Sequence, residues 1–333
     1  MNLATIHDKV ENTLKANPQK VEQRRKAIEA VRAGLAKVKD LQAPILRHRK
    51  AWFSTTQGHT AKGNGCARVQ VLGLNVGQLS LVTKPDEAFY EFIPNEGYLK
   101  SLGFPNGPWR WSKSKKHGQQ INSFLKECET LPGANADNER EIQWQLAEAL
   151  RSEKGGVLRY LQPVTWDRRF TEIGVSVTAS GKPGTGNIDL LVRQGKGAQG
   201  CFLVFELKKP VRNGVKAFEA ALQQALRYAT ALNFEANKGG NKNLENYRVV
   251  LNSKGTRKLE IGAVVVVEDT KVVRENADKI LKEYTEDRGG SDIKRLGVLL
   301  YKFDKSEGKA HSWAWLPGWP SKKLPESSQQ TAG

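Results

Sequence analysis

The sequence predicts an α/β protein with a helical and β N-terminal region, and three observations carry that expectation. Apolar residues recur at helical spacing over residues 139–151 and 215–232. Strand-length apolar runs occupy 170–179, 187–192, 201–208, 261–267 and 295–303, set between those helical stretches. Hydrophobic residues make up 38% of the 333 and charged residues 26%, the balance of a chain with a sizeable core and room for two domains.

Residues 3–16 and 19–42 read as two helices broken around Pro18. In the second, Val21, Ile28, Val31, Leu35, Val38 and Leu41 form a stripe that fits core packing or a two-heptad oligomer contact. Its other face carries Lys20, Arg24, Arg25, Lys26, Arg32 and Lys39. Short strands are expected in 67–83 and 88–93. A Gly-, Pro- and Trp-rich loop follows, with Trp109-Arg110-Trp111 ahead of Lys113, Lys115, Lys116 and His117. Those tryptophans suit either stacking on bases or half-buried packing. Leu131 to Asn138 reads as a linker or helix start. The helix from Glu139 to Arg151 presents Ile142, Leu146, Ala149 and Leu150 on one face and stops at Gly155-Gly156. After the strands Phe170–Ala179, Asn187–Val192 and Cys201–Lys208 comes a long helix near Val215–Leu232. Strand Ile261–Val267, a polar helix Val272–Asp287 and strand Arg295–Phe303 close an α-β-β-β-α-β-α-β order. The expected division is a basic N-terminal region at 1–130, a core domain at 131–319 and a disordered tail at 320–333.

Charge narrows the partners. The chain has 53 Lys+Arg against 35 Asp+Glu, a formal charge of +18 and a pI near 9.7. Residues 1–130 hold 21 of the cations and 11 of the anions, more than half of the excess. That balance points to a polyanion, nucleic acid above all, because cations on phosphates gain from counterion release; solubility alone is the plainer reading. No apolar run approaches the roughly 20 residues of a membrane helix, and the first twenty residues lack a signal peptide's apolar stretch, so a cytoplasmic protein is expected. Three scattered cysteines, with no CxxC, exclude a disulfide scaffold or zinc knuckle.

The chemistry concentrates between 181 and 228. Gly181-Lys-Pro-Gly-Thr-Gly186 has the outer frame of a phosphate loop, but Asn187-Ile188 stand where Lys and Ser/Thr are needed, so it reads as a hairpin turn. Beyond it, Asp189 sits on an otherwise apolar strand, and Glu206 and Lys208 share one face at the end of a second. Charges there are costly unless paired with each other, as Asp189–Lys208 or Glu206–Lys208, or bound to a metal. On the next helix, Gln224 and Tyr228 are one turn apart, placed either by chance or to reach the strand ends. Glu141 has capping-box spacing from Asn138, a role that can coexist with one at a site; Glu139 and Glu148 are the reserves.

The run GNIDLLV, the following apolar-Glu206-Leu207-Lys208 strand and the element order over about 139–304 resemble the PD-(D/E)xK nuclease superfamily. The residue before Asp189 is Ile188 rather than proline, a departure that leaves the metal argument intact. Gln224 and Tyr228 are similar to the QxxxY pair of its RecB-type and phage-exonuclease branches, and Shedu-like defence nucleases share this layout. The resemblance implies a restriction-endonuclease-like core with a central mixed sheet flanked by helices. It implies Mg²⁺ (or Mn²⁺) held by Asp189, Glu206, the Leu207 carbonyl and Glu141, with Lys208 activating water and Gln224 and Tyr228 positioning substrate or Lys208. The expected activity is phosphodiester hydrolysis, in DNA before RNA, in anti-phage defence, repair or phage recombination. Iron–sulfur members need four clustered cysteines, which this chain lacks. The N-terminal region is expected to bind substrate or to mediate a homo-oligomer. The rivals are a non-catalytic nucleic-acid-binding protein on a nuclease fold and a protein–protein module with incidental charge.

Overall fold

The computed structural model describes residues 2–38, 51–54, 65–71, 74–83, 88–111, 115–131, 138–152, 156–166, 169–195, 200–210, 214–253, 258–286, 291–293, 295–304, 306 and 309–316. Among them it is a mixed α/β structure with eight α-helices and fifteen strands.

Helix α1 (Leu3–Ala16) starts at Asn2, whose side chain accepts a hydrogen bond from the Thr5 amide. It buries Leu3, Ile6, Val10 and Leu14 at spacings of three and four. Helix α2 (Pro18–Val38) begins on the proline itself, where the missing N–H costs nothing. Next come β1 (Ala51–Ser54), β2 (Gly65–Val71), β3 (Leu74–Thr83), β4 (Ala88–Pro94), α3 (Glu96–Leu102), β5 (Trp109–Trp111) and α4 (Lys115–Cys128). Helix α5 (Asn138–Ser152), a 3-10 turn at Gly156–Leu158, β6 (Leu161–Pro163), β7 (Thr165–Trp166) and β8 (Arg169–Glu172) lead to the hairpin of β9 (Gly174–Val177) and β10 (Pro183–Asn187). The remainder is β11 (Leu190–Gln194), β12 (Cys201–Leu207), α6 (Gly214–Asn237), α7 (Gly240–Val250), β13 (Glu260–Glu268), α8 (Lys271–Glu286), β14 (Arg295–Asp304) and β15 (Lys309–Trp315).

A six-stranded mixed sheet has the order β15-β14-β13-β12-β11-β6. Its centre, β12-β13-β14, is parallel, and α6 and α8 make the crossovers. Side-chain alternation divides β12 cleanly. Phe202 and Val204 pack in the cluster that contains α6, whereas Leu203, Phe205 and Leu207 pack with Ile142, Leu146 and Leu150 of α5. A second sheet, β5-β4-β3-β2-β1-β8-β7, is antiparallel except where β1 pairs parallel with β8. Trp109 belongs to a ring cluster with Phe92, Phe104 and Phe124, at centroid separations of 5.4–6.1 Å, and so serves packing.

Several expectations change. The division at 130/131 cuts through continuous structure: β1 pairs with β8, α1 lies on α6, and α2 packs on β9 and α7. One core cluster runs from Leu3 to Leu316. The reason is α6, whose buried residues lie all round the helix, so that one sheet face cannot cover them. On α2, Val21, Ile28 and Val31 are core residues, which decides for packing over an oligomer seam there; the side chains of Leu35 and Val38, and Leu41 itself, lie outside the described residues. The basic face of α2 is largely an internal face. Arg24 is buried, Arg25 donates to the Glu235 carbonyl, and Arg32 donates to Asn246 at 2.7 Å. Lys39 lies outside the described residues.

The strand expected at 170–179 breaks at Ile173, because β8 joins one sheet while β9 pairs with β10. The strand expected at 187–192 breaks at Ile188–Asp189. The turn expected across Gly181–Gly186 occupies 179–182, with Gly181 at φ +80, and Pro183–Asn187 is a strand. Helices α3, α4 and α7 and strands β5, β6 and β15 were not expected. The linker 132–137 and the tail lie outside the described residues. No helix among the described residues is long and apolar enough to cross a membrane.

Candidate active site

The break between β10 and β11 places Asp189. At that kink the Asp189 carbonyl accepts a hydrogen bond from the Gln143 side chain of α5, and its Oδ2 accepts from the Leu207 amide at 2.8 Å. The chain thus ties Asp189 to the last residue of β12 at the moment regular pairing stops. A strand residue's N–H and C=O point to the same side, so the Leu207 carbonyl also faces the Asp189 edge. One residue earlier, Glu206 shares the α6 face of β12 with Phe202 and Val204 and is 1% exposed. Its Oε1 accepts from Lys208 Nζ at 2.7 Å, while its buried Oε2 has no hydrogen-bond partner. Lys208, just past the strand, anchors its amide on the Val266 carbonyl, and its own carbonyl accepts from Tyr301 Oη at 2.7 Å.

Helix α6 crosses this corner. Gln224 Nε2 donates to Tyr228 Oη at 3.3 Å, and Tyr228 is 3% exposed. Gly186 makes room for that ring: a Cβ there would lie 2.6 Å from Tyr228 Cε1.

The electrostatics bind these groups into one unit. Burial, reinforced by Glu139 and opposed by Lys208, pushes the Asp189 carboxyl up to about 6. Burial and then the Asp189 charge hold Glu206 well above the usual carboxylate range. Burial works against the Lys208 charge, but Glu206 and Asp189 outweigh it and raise its pKa. Burial, Glu206 and Asp189 push Tyr228 up to about 12. Two buried carboxyls held above their ordinary pKa, one with an orphaned oxygen, want a cation that Lys208 only partly supplies.

Asp189, Glu206, Lys208, Gln224 and Tyr228 are therefore brought together. Glu141 is not: its carboxylate accepts from Gln145 of its own helix at 2.9 Å. The acid of α5 within electrostatic reach of Asp189, Glu206 and Lys208 is Glu139, one of the two reserves. Glu139 and Gln143 are one turn apart and share the face turned to Asp189, whereas Glu141 lies about 200° round from Glu139. Asn138 is within the helix, and Glu148 pairs with Arg151 at 2.9 Å. Gln143 and Tyr301 carried no sequence signal, since neither forms a charge pattern.

No protein-family model, curated protein or solved structure matches this chain. The assignment rests on geometry.

Among the described residues no three His, Cys, Asp or Glu side chains converge as a metal cluster. A divalent cation fits the donors all the same. Asp189, Glu206 with its free Oε2, and the Leu207 carbonyl are a hard oxygen set, and Mg²⁺ commonly takes one or two carboxylates and keeps several waters.

Proposed function

We propose that the chain is a metal-dependent nuclease that hydrolyses phosphodiester bonds, with DNA the favoured substrate and a restriction-endonuclease-like core. The observation that carries this reading is the convergence of Asp189, Glu206 and Lys208 from two strand ends, with the buried Glu206 Oε2 left without a partner. The order α5, β11, β12, α6, β13, and the approach of Tyr228 from α6, support it.

Asp189 and Glu206 would hold Mg²⁺, with the Leu207 carbonyl as a third donor. The ion would supply positive charge for the phosphoryl oxygens and lower the pKa of a bound water. Lys208, kept cationic by its two carboxylate neighbours, sets a positive charge where negative charge accumulates on phosphorus oxygens. Tyr228 stays a neutral phenol whose hydroxyl accepts from Gln224 and keeps its proton to donate to substrate. Glu139 adds negative field at Asp189, Glu206 and Lys208.

The test is one gel of linear, circular and single-stranded DNA and of RNA, with Mg²⁺, Mn²⁺ or EDTA. Cleavage should require the metal and vanish in Asp189→Ala and Glu206→Ala. If either variant cuts at the wild-type rate, the reading fails.

A further inference from the structure

A second polar site lies away from the carboxylates. Between α2 and the β9–β10 hairpin is a cavity of about 120 Å³, lined by Lys20, Gln23 and Arg24 from the helix and by Ser176, Gly184 and Thr185 from the hairpin. At roughly 30 Å³ per water, that is the space of about four waters, enough for a phosphate group with part of its hydration. Among the described residues the lining contains two cations, an amide and two hydroxyls, and no carboxylate. Lys20, Gln23 and Thr185 are exposed, so the cavity opens outward, while Arg24 and Ser176 form its buried floor.

The floor is built rather than incidental. Gly174 allows the Arg24 guanidinium to lie on the β9 backbone: a Cβ there would sit 2.7 Å from Nη2. Ser176 ties its hydroxyl to the Lys20 carbonyl at 3.2 Å and its amide to Glu235 at 2.6 Å. Glu235 opposes the Arg24 charge, so among the described residues of the lining Lys20 is the cation placed at the mouth.

The cavity is also aligned with the candidate active site. Pro183, Thr185 and Asn187 are the exposed positions of β10, alternating with Gly184 and the buried Gly186, and the chain runs from Asn187 directly to Asp189. Thr185 lies four residues before Asp189, at most ~14 Å of chain, so both can meet one nucleic-acid strand. Thr185 and Asn187 offer hydrogen-bonding side chains along this track.

We infer that the cavity is a phosphate subsite, holding one backbone phosphate of a nucleic-acid strand laid along β10 toward the bond at Asp189. The inference rests on the proposed nuclease function. Lys20 supplies the charge, and Gln23 and Thr185 supply hydrogen-bond donors. On the described part of α2, substrate would then be met at Lys20 rather than along the whole basic helix.

The experiment uses the full chain in EDTA, to prevent cutting, with a fluorescein-labelled DNA duplex and single strand read by anisotropy. Lys20→Glu should weaken binding about tenfold and reduce the log–log salt slope by about one. Lys26→Glu, the same charge change on an exposed residue of α2 outside the cavity, should do much less. A neutral methylphosphonate moved along the strand should weaken wild-type binding at one linkage, and Lys20→Glu should be insensitive to it there. Equal effects of the two lysine variants, or a linkage effect that persists in Lys20→Glu, would overturn the subsite while leaving the nuclease reading standing. Thermal stabilisation by inorganic phosphate with no linkage effect would assign the cavity to a free anion instead. A wild-type chain that neither binds nor cuts any of the nucleic acids would remove both readings together.

Discussion

Asp189 is held by the Leu207 amide and, through its carbonyl, by Gln143, but its charge is poorly supported, and pH sets the cost. With a folded pKa near 6 against 3.8 for the free side chain, the folded chain binds the proton more tightly. The stability this gives is present below about pH 4 and is lost as pH rises through 6. Asp189→Asn keeps an oxygen for the Leu207 amide and removes the charge. The variant should therefore melt several degrees above wild type at pH 8 in EDTA, a gain of up to about 3 kcal/mol, and together with it at about pH 3. Parallel melting curves at both pH values would show that Asp189 carries no such strain. Lys208→Ala should lose turnover and keep most DNA affinity, since one phosphate contact accounts for only about one unit of salt slope. Loss of affinity with normal turnover of bound substrate would make Lys208 a docking residue. Glu139→Gln should slow cleavage by about tenfold or more, as outer carboxylates of metal sites do, and Glu141→Gln should not. The reverse order would restore Glu141. The first three site residues were legible because a charge on an apolar strand is an anomaly that sequence displays openly. Glu139 and Glu141 were not separable, because both begin a helix whose rotational phase is decided by what it packs on: Ile142, Leu146 and Leu150 face β12, and only then does Glu139 face Asp189.

At the level of elements, α2 shows how a helix can be basic without offering a basic surface. Arg24→Glu would set a carboxylate against the buried Glu235 and should destabilise the chain by about 3–5 kcal/mol in urea titrations, whereas Lys26→Ala should stay within about 0.5 kcal/mol. Equal midpoints for the two would mean that Arg24 is not part of the interior. The long elements were readable, since α1 and α5 repeat their apolar residues at helical spacing and β12 to β14 are strand-length apolar runs. Helix α7 was not, because Asn243, Asn246 and Arg248 look like a solvated face yet are buried against α6 and α2. Helix α3 did carry local signals, Asn95 as its cap and Gly103 in the left-handed conformation after Leu102. The breaks at Ile173 and Asp189 follow from which sheet each half joins, and that is a long-range choice no window of ten residues contains.

For the molecule as a whole, the decisive feature is that α6 is enclosed, by the six-stranded sheet on one side and by α1, α2 and α7 on others. A chain beginning at Leu131 would bare that helix. It should lack near-UV circular dichroism and aggregate, and the full chain should unfold in one calorimetric transition. A truncated chain that melts cooperatively would show the opposite, an independent core. The same enclosure orders events during synthesis. Leu3, Ile6, Val10 and Leu14 emerge about 200 residues before the helix that covers them, a wait of about 10–40 s at ordinary translation rates. Through that interval an amphipathic helix is without its partner, and a ribosome-bound chaperone has a ready client. Asp189 and Glu206 are both made before α6 closes over them, so a chain stalled before the end of α6 lacks the assembled corner. Under the proposed function, a cell making this protein meets the cutting centre only once synthesis has passed α6.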